Sequence, residues 1–231
     1  MKDKKKIEKG SITETSLELA PFAVQLLDPE VVSNPMAVAV KVGIGIVSHF
    51  TAKLFSEFKD KIKNGTLKNK DFSTEKPALI FTDLCKVIDD GKIDEERFKA
   101  MKSIFFYSVS KEATEKTEKD AYEMMQITKE LSSMEVLILR ANFNMVIGTA
   151  KSHTGKNANK RTNARGAWFI TIANELGYDF PEIVGRHEKH LMELKLISEI
   201  DNPARNAMIP TDYFRLTTLG YKLCEFITKY D

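Results

Sequence analysis

The sequence predicts a mainly α protein, with a helical amino-terminal domain followed by a second domain built around a helix-turn-helix. Three observations carry this expectation. Apolar side chains recur every three to four residues through most of the chain before Leu131, as the core-facing stripe of a helix does. The periodic runs are bracketed by helix punctuation, with Pro, Ser or Thr at their starts and Gly at their ends. Finally, "IANELGYDFPEIVGRHEKHLMELKLI", from Ile172 to Ile197, reads as a helix, a turn and a second helix. A chain of 231 residues suffices for one large domain or two small ones, and its 42% apolar content allows a buried core.

The elements follow in order. "MKDKKKIEKG" is basic and has no apolar signal core after it, so residues 1–11 are expected to be a solvated tail of a cytoplasmic protein. Met36 to Val47, "MAVAVKVGIGIV", is shorter than the roughly 20 apolar residues of a membrane span and is broken by Lys41. Its alternation of Val38, Val40, Val42, Ile44 and Ile46 suits a strand, and contact with a membrane surface is a further reading. Pro35 favours a helix, capped by Ser33 or Asn34, that runs on through Phe50, Leu54, Phe55, Phe58 and Ile62 to a stop at Gly65. "TEKPALIFTDLCKVIDDG" predicts a helix with Thr74 as cap, Pro77 in its first turn and Asp90-Gly91 at its end. "IDEERFKAMKSIFFYSVSKEA" places acidic residues where the helix dipole favours them, and its stripe is Phe98, Met101, Ile104, Phe105 and Val109. "EKTEKDAYEMMQITKEL" is a further amphipathic run, turning Tyr122, Met125 and Ile127 towards a core.

A second domain is expected from Ser132 to Asp231, after a helical domain over residues 12–131. It opens on the capping box formed by Ser132 and Glu135. An aperiodic stretch, "NMVIGTAKSHTGKNANKRTNARG", separates this helix from the helix-turn-helix. Beyond that motif, "SEI" and "YFRL" predict two short strands around a Pro-containing tip. "TTLGYKLCEFITKY" is a final helix capped by Thr217 or Thr218.

This order, with Ala173 at a close helix crossing, Leu176-Gly177 at the end of the first helix, and Val184, His187, Leu191, Leu194, Leu196 and Ile197 along the second, resembles the winged helix-turn-helix family. The MarR-type and PadR-type bacterial regulators are the nearest in pattern, and "YFRLTTLGYKL" looks like their second wing strand running into the last helix. The resemblance covers Ser132 to Asp231 and implies a winged helix with a small β-wing. The turn "YDFP" is longer than the family's, Lys195 stands where Gly often precedes the final "LI", and the loop from Asn144 to Arg165 is long. A fainter, whole-chain resemblance is to the abortive-infection alpha type, which implies a role in phage exclusion.

The resemblance implies a DNA-binding transcription regulator. Gly185, Arg186 and Lys189 would face the major groove, Lys160, Arg161 and Arg165 would hold phosphates, and Arg205 near the wing tip would touch the backbone or minor groove. Paired half-sites imply a homodimer. The charges support this unevenly. Overall the chain is balanced, with 35 basic and 33 acidic residues, so any contact with double-stranded DNA must come from a local patch. The second helix itself carries as many acidic as basic side chains. The loop before it is different, because no acidic residue lies between Glu135 and Glu175 while Arg140, Lys151, Lys156, Lys160, Arg161 and Arg165 are basic. The alternative is a phage-defence protein that uses the winged helix to bind a protein partner.

Enzyme signals fail on spacing. "GTAKSHTGKN" has six residues between its glycines rather than the four of a phosphate loop. "DDGKIDEE" puts Lys86 and Arg97 where a calcium loop needs carboxylates. His187, His190 and Glu193 share a helical face but lack a definable fourth ligand, so no metal is expected. Cys85 and Cys224 lack metal or redox spacing and are expected to be buried free thiols. The expectation is therefore a non-enzymatic protein without a cofactor.

Overall fold

The computed structural model describes residues 49–67, 75–91, 93–148, 165–199 and 215–230. The protein is mainly helical. Among the described residues there are eight helices: α1 (His49–Lys63), α2 (Glu75–Asp89), α3 (Glu95–Ser108), α4 (Glu115–Glu130), α5 (Ser133–Val146), α6 (Arg165–Glu175), α7 (Glu182–Glu193) and α8 (Thr218–Thr228). The run from Met36 to Val47, the Thr74 cap, the basic loop and the tip beyond Glu199 lie outside the described residues. No described helix is long and apolar enough to cross a membrane.

The chain divides into two compact units, Met1–Ile93 with Phe105–Tyr122, and Asp94–Ile104 with Glu123–Asp231. Residues 94–104 and 123–131 therefore group with the segment that follows Ser132. The first unit is organised by aromatic packing, as the apolar stripes predict. Phe58 and Phe81 lie against Phe105 at ring-centroid separations of 5.7 and 5.3 Å, and Phe58 stacks on Phe106. Such rings bury large apolar areas and favour offset or edge contacts. Gly65 ends α1 at φ +69°, a left-handed conformation that costs glycine little, and its N–H bonds the Ile62 carbonyl. Gly91 ends α2 in the same way, at φ +65°.

In the second unit α5 starts from the predicted capping box. The Ser132 amide donates to Glu135 Oε2 at 2.7 Å, and the Glu135 amide donates to Ser132 Oγ at 3.4 Å. Residues 94–104 are anchored here by polar contacts as well as apolar ones. Arg140 bridges Glu96 at 3.0 Å and the Ile227 carbonyl at 3.1 Å, while Ser103 Oγ donates to the Phe226 carbonyl at 2.6 Å. Thr217 is the cap of α8, its side chain accepting from the Gly220 amide at 3.0 Å.

The β-wing is not shown. Instead of two strands, the described residues after α7 hold one antiparallel bridge, Ile197 with Leu216, flanked by bonds from Ser198 N to Arg215 O and from Thr217 N to Leu196 O. So few ladder bonds do not amount to strands. Lys195, the departure from the glycine of the resemblance, has φ +58°. The position does require a left-handed residue, and here a lysine occupies it. Thr217 Oγ1 donates to the Lys195 carbonyl at 2.6 Å and steadies the turn. Because the left-handed region is costly for a side chain with a Cβ, Lys195→Gly should stabilise the fold by up to about 1 kcal/mol in chemical denaturation.

Both cysteines are free and buried, as expected. Burial, with Asp89 nearby, pushes the Cys85 thiol up to about 12, and burial likewise raises Cys224. Neither thiol is activated as a nucleophile.

Candidate interaction face of the helix-turn-helix

Helix α6 stops at Gly177, where φ is +77° and Tyr178 N donates back to Ala173 O at 2.8 Å. Ile172 and Ala173 of α6 and Val184 of α7 are buried. The chain turns through Tyr178–Pro181 into α7. Pro181 occupies the N-cap position without a side-chain bond to the helix. The inner face of α7 is Val184, Glu188 and Leu191, so a carboxylate lies among apolar residues.

Two polar tethers fix this helix. Glu188 is 2% exposed and meets Arg215, 7% exposed, at 2.5 Å. Arg215 also donates from Nε to the Ser198 carbonyl at 2.8 Å, and its guanidinium lies 4.7 Å from the Trp168 ring centre. The pair is thus closed on all sides, as a buried charge must be. The second tether is Glu135. Its Oε1 faces His190 Nδ1 at 2.9 Å and His187 Nδ1 at 3.4 Å, while Oε2 serves the α5 cap.

Burial acts to raise the Glu135 pKa, but hydrogen bonds from the Ser132 backbone, His190 and the Ser132 hydroxyl outweigh it, and the net effect is a lowered value. A carboxylate whose folded pKa is depressed contributes stability above its unfolded value, ordinarily 4.5, and loses it as pH falls through the folded pKa. Acid titration of the wild type below about pH 4.5 should therefore show a loss of stability that Glu135→Gln lacks. Parallel acid dependences in the two proteins would refute this role.

The outward face of α7 presents Glu182, Arg186, Lys189 and Glu193, all exposed. Lys189 pairs with Glu193 at 3.5 Å, but with exposures of 86% and 59% the pair contributes little. Gly185 lies between these charges, above the Phe169 ring. A shallow groove of about 460 Å³ is lined there by Phe169, Ile170, Pro181, Glu182, Gly185 and Arg186. Of its lining Ile170 is 51% exposed, and Phe180, directly before Pro181 in the turn, is 57% exposed. Large apolar side chains left in water together mark an interaction surface more often than single exposed ones do.

No family model, curated protein or solved structure matches this chain.

Of the residues the sequence singles out, Gly185, Arg186 and Lys189 come together on α7. Arg165 opens α6, with only its backbone described. Lys160, Arg161 and Arg205 lie outside the described residues. Among the described residues no group of three or more His, Cys, Asp or Glu side chains is arranged to hold a metal. His187 and His190 turn to Glu135, and Glu193 to Lys189. Trp168 is buried in the core, whereas Phe169 supplies the groove. Sequence reasoning missed Ile170 and Phe180. The available signal was an aromatic directly before Pro181, in a turn where polar residues are usual.

Proposed function

We propose that the chain is a non-enzymatic interaction protein of winged-helix type, and that α6 and α7 dock a protein partner. The observation that carries this reading is the exposed Ile170 and Phe180 beside a groove whose charged rim, Glu182 and Arg186, is neutral in sum. A neutral apolar face releases few counterions on a phosphate backbone, which is the main source of non-specific DNA affinity. It does suit the apolar centre and polar rim of a protein interface. The order helix, helix-turn-helix, bridge and helix, with left-handed Lys195 before Leu196-Ile197, supports the winged-helix type. Phage exclusion is the setting that the whole-chain resemblance implies.

One observation favours a second reading, DNA recognition. Arg186 and Lys189 stand exposed on the outer face, three residues apart, where a recognition helix presents its base-reading side chains. Titrating random duplex DNA onto the full chain at low and then rising salt separates the two. Protein docking predicts negligible affinity throughout. A salt-dependent affinity, with Arg186→Ala altering sequence preference and Arg161→Ala weakening all sequences alike, would establish the DNA reading instead.

A further inference from the structure

We propose that the occupant of the α6–α7 groove is a second copy of this chain, joined across a two-fold axis beside Gly185. The inference rests on the protein-docking reading above and adds the identity of the partner. It follows from the order of charges along α7. A two-fold interface presents the same patch twice, so the patch must complement itself. Glu182 and Arg186 are exposed, opposite in charge and one helical turn apart, and neither is ion-paired with a described residue. When two such helices lie antiparallel with the axis between these positions, Glu182 of each copy meets Arg186 of the other. This reciprocal pairing is attractive, whereas a parallel arrangement would set like charges together.

Gly185 lies beside this pairing on α7, where a Cβ would meet the chain's own Phe169 ring at 3.7 Å, an ordinary contact. Ile170 and Phe180 then lose their exposure to water. The apolar area is modest beside the roughly 800 Å² per partner of a stable interface, so the dimer should be weak, with a dissociation constant on the order of micromolar. Pairing through α7 covers Arg186 and Lys189, so self-association and DNA reading exclude one another.

Sedimentation velocity over a concentration series tests the proposal on the full chain. Wild type should dimerise with concentration, and Glu182→Arg or Arg186→Glu alone should each weaken association about tenfold or more. An equimolar mixture of those two variants should recover a one-to-one dimer, because each then supplies the charges the other lacks. Circular dichroism of these exposed-site variants should match wild type. A wild type that stays monomeric at its highest soluble concentration, or reversals without effect, would overturn the inference. A photoreactive amino acid in place of Ile170 separates that failure from failure of the docking reading. Crosslinking in cells to another copy supports the proposal. Crosslinking only to a different polypeptide overturns the second copy and leaves protein docking standing, and no crosslink to any polypeptide overturns both.

Discussion

Glu188→Ala should lower the stability of the chain by about 3–5 kcal/mol, enough to unfold much of the second unit near physiological temperature. The cause is the guanidinium left behind. Arg215 is 7% exposed and cannot shed its proton, so removing the carboxylate leaves a fixed charge facing Met192, Trp168 and the Ser198 carbonyl. Replacing both partners with apolar residues of similar size, as in Glu188→Leu with Arg215→Met, should cost far less, because the desolvation penalty goes with the pair. Urea denaturation of the two single variants and the double variant forms the necessary cycle. If both single losses stay below about 1 kcal/mol, the size of an exposed pair, the tether has the wrong strength.

Gly220→Ala should be the other severe change, at about 3 kcal/mol or more. A Cβ on Gly220 would lie 2.0 Å from the Leu196 carbonyl oxygen and 2.9 Å from its carbon. Neither atom is a side-chain tip that can swing aside. Leu196 accepts the Thr217 amide beside the Ile197–Leu216 bridge, so relief of the clash must part the bridge from α8. Gly91→Ala is the control. Its φ is +65° but a Cβ there meets nothing within 4 Å, so only the backbone cost of about 1 kcal/mol applies. A thermal shift for Gly220→Ala no larger than that of Gly91→Ala would show that the Leu196 carbonyl can move aside and that close packing does not set the requirement at Gly220.

Local signals in this sequence were readable. Gly65, Gly91 and Gly177 stop helices in left-handed conformations, Ser132 and Glu135 make their box, and the α3 stripe from Phe98 to Val109 is buried throughout. These depend on neighbours within one or two helical turns. What could not be read is pairing over distance. Glu188 and Arg215 look like surface charges on periodic segments, yet they meet across 27 residues of chain. Periodicity reports which side of a helix is apolar and is silent on which ion a buried carboxylate meets. The same limit hid the groove, since Ile170 sits in an apolar run that predicts burial but is half exposed. It also hid the second duty of Glu135, whose cap role is local and whose histidine contacts are not. Lys195 shows the reverse case, a mismatch visible in sequence whose meaning needed a dihedral angle.

The position of Trp168 has a practical consequence. It is the chain's one tryptophan, 7% exposed, with Arg215 over its ring and Phe169 next to it. Intrinsic indole fluorescence therefore comes from a single point at the root of α6, under the charged tether and two residues from Ile170. Whatever loosens Arg215 or settles on the groove acts within reach of that ring, so the molecule carries its own optical gauge for the face it presents.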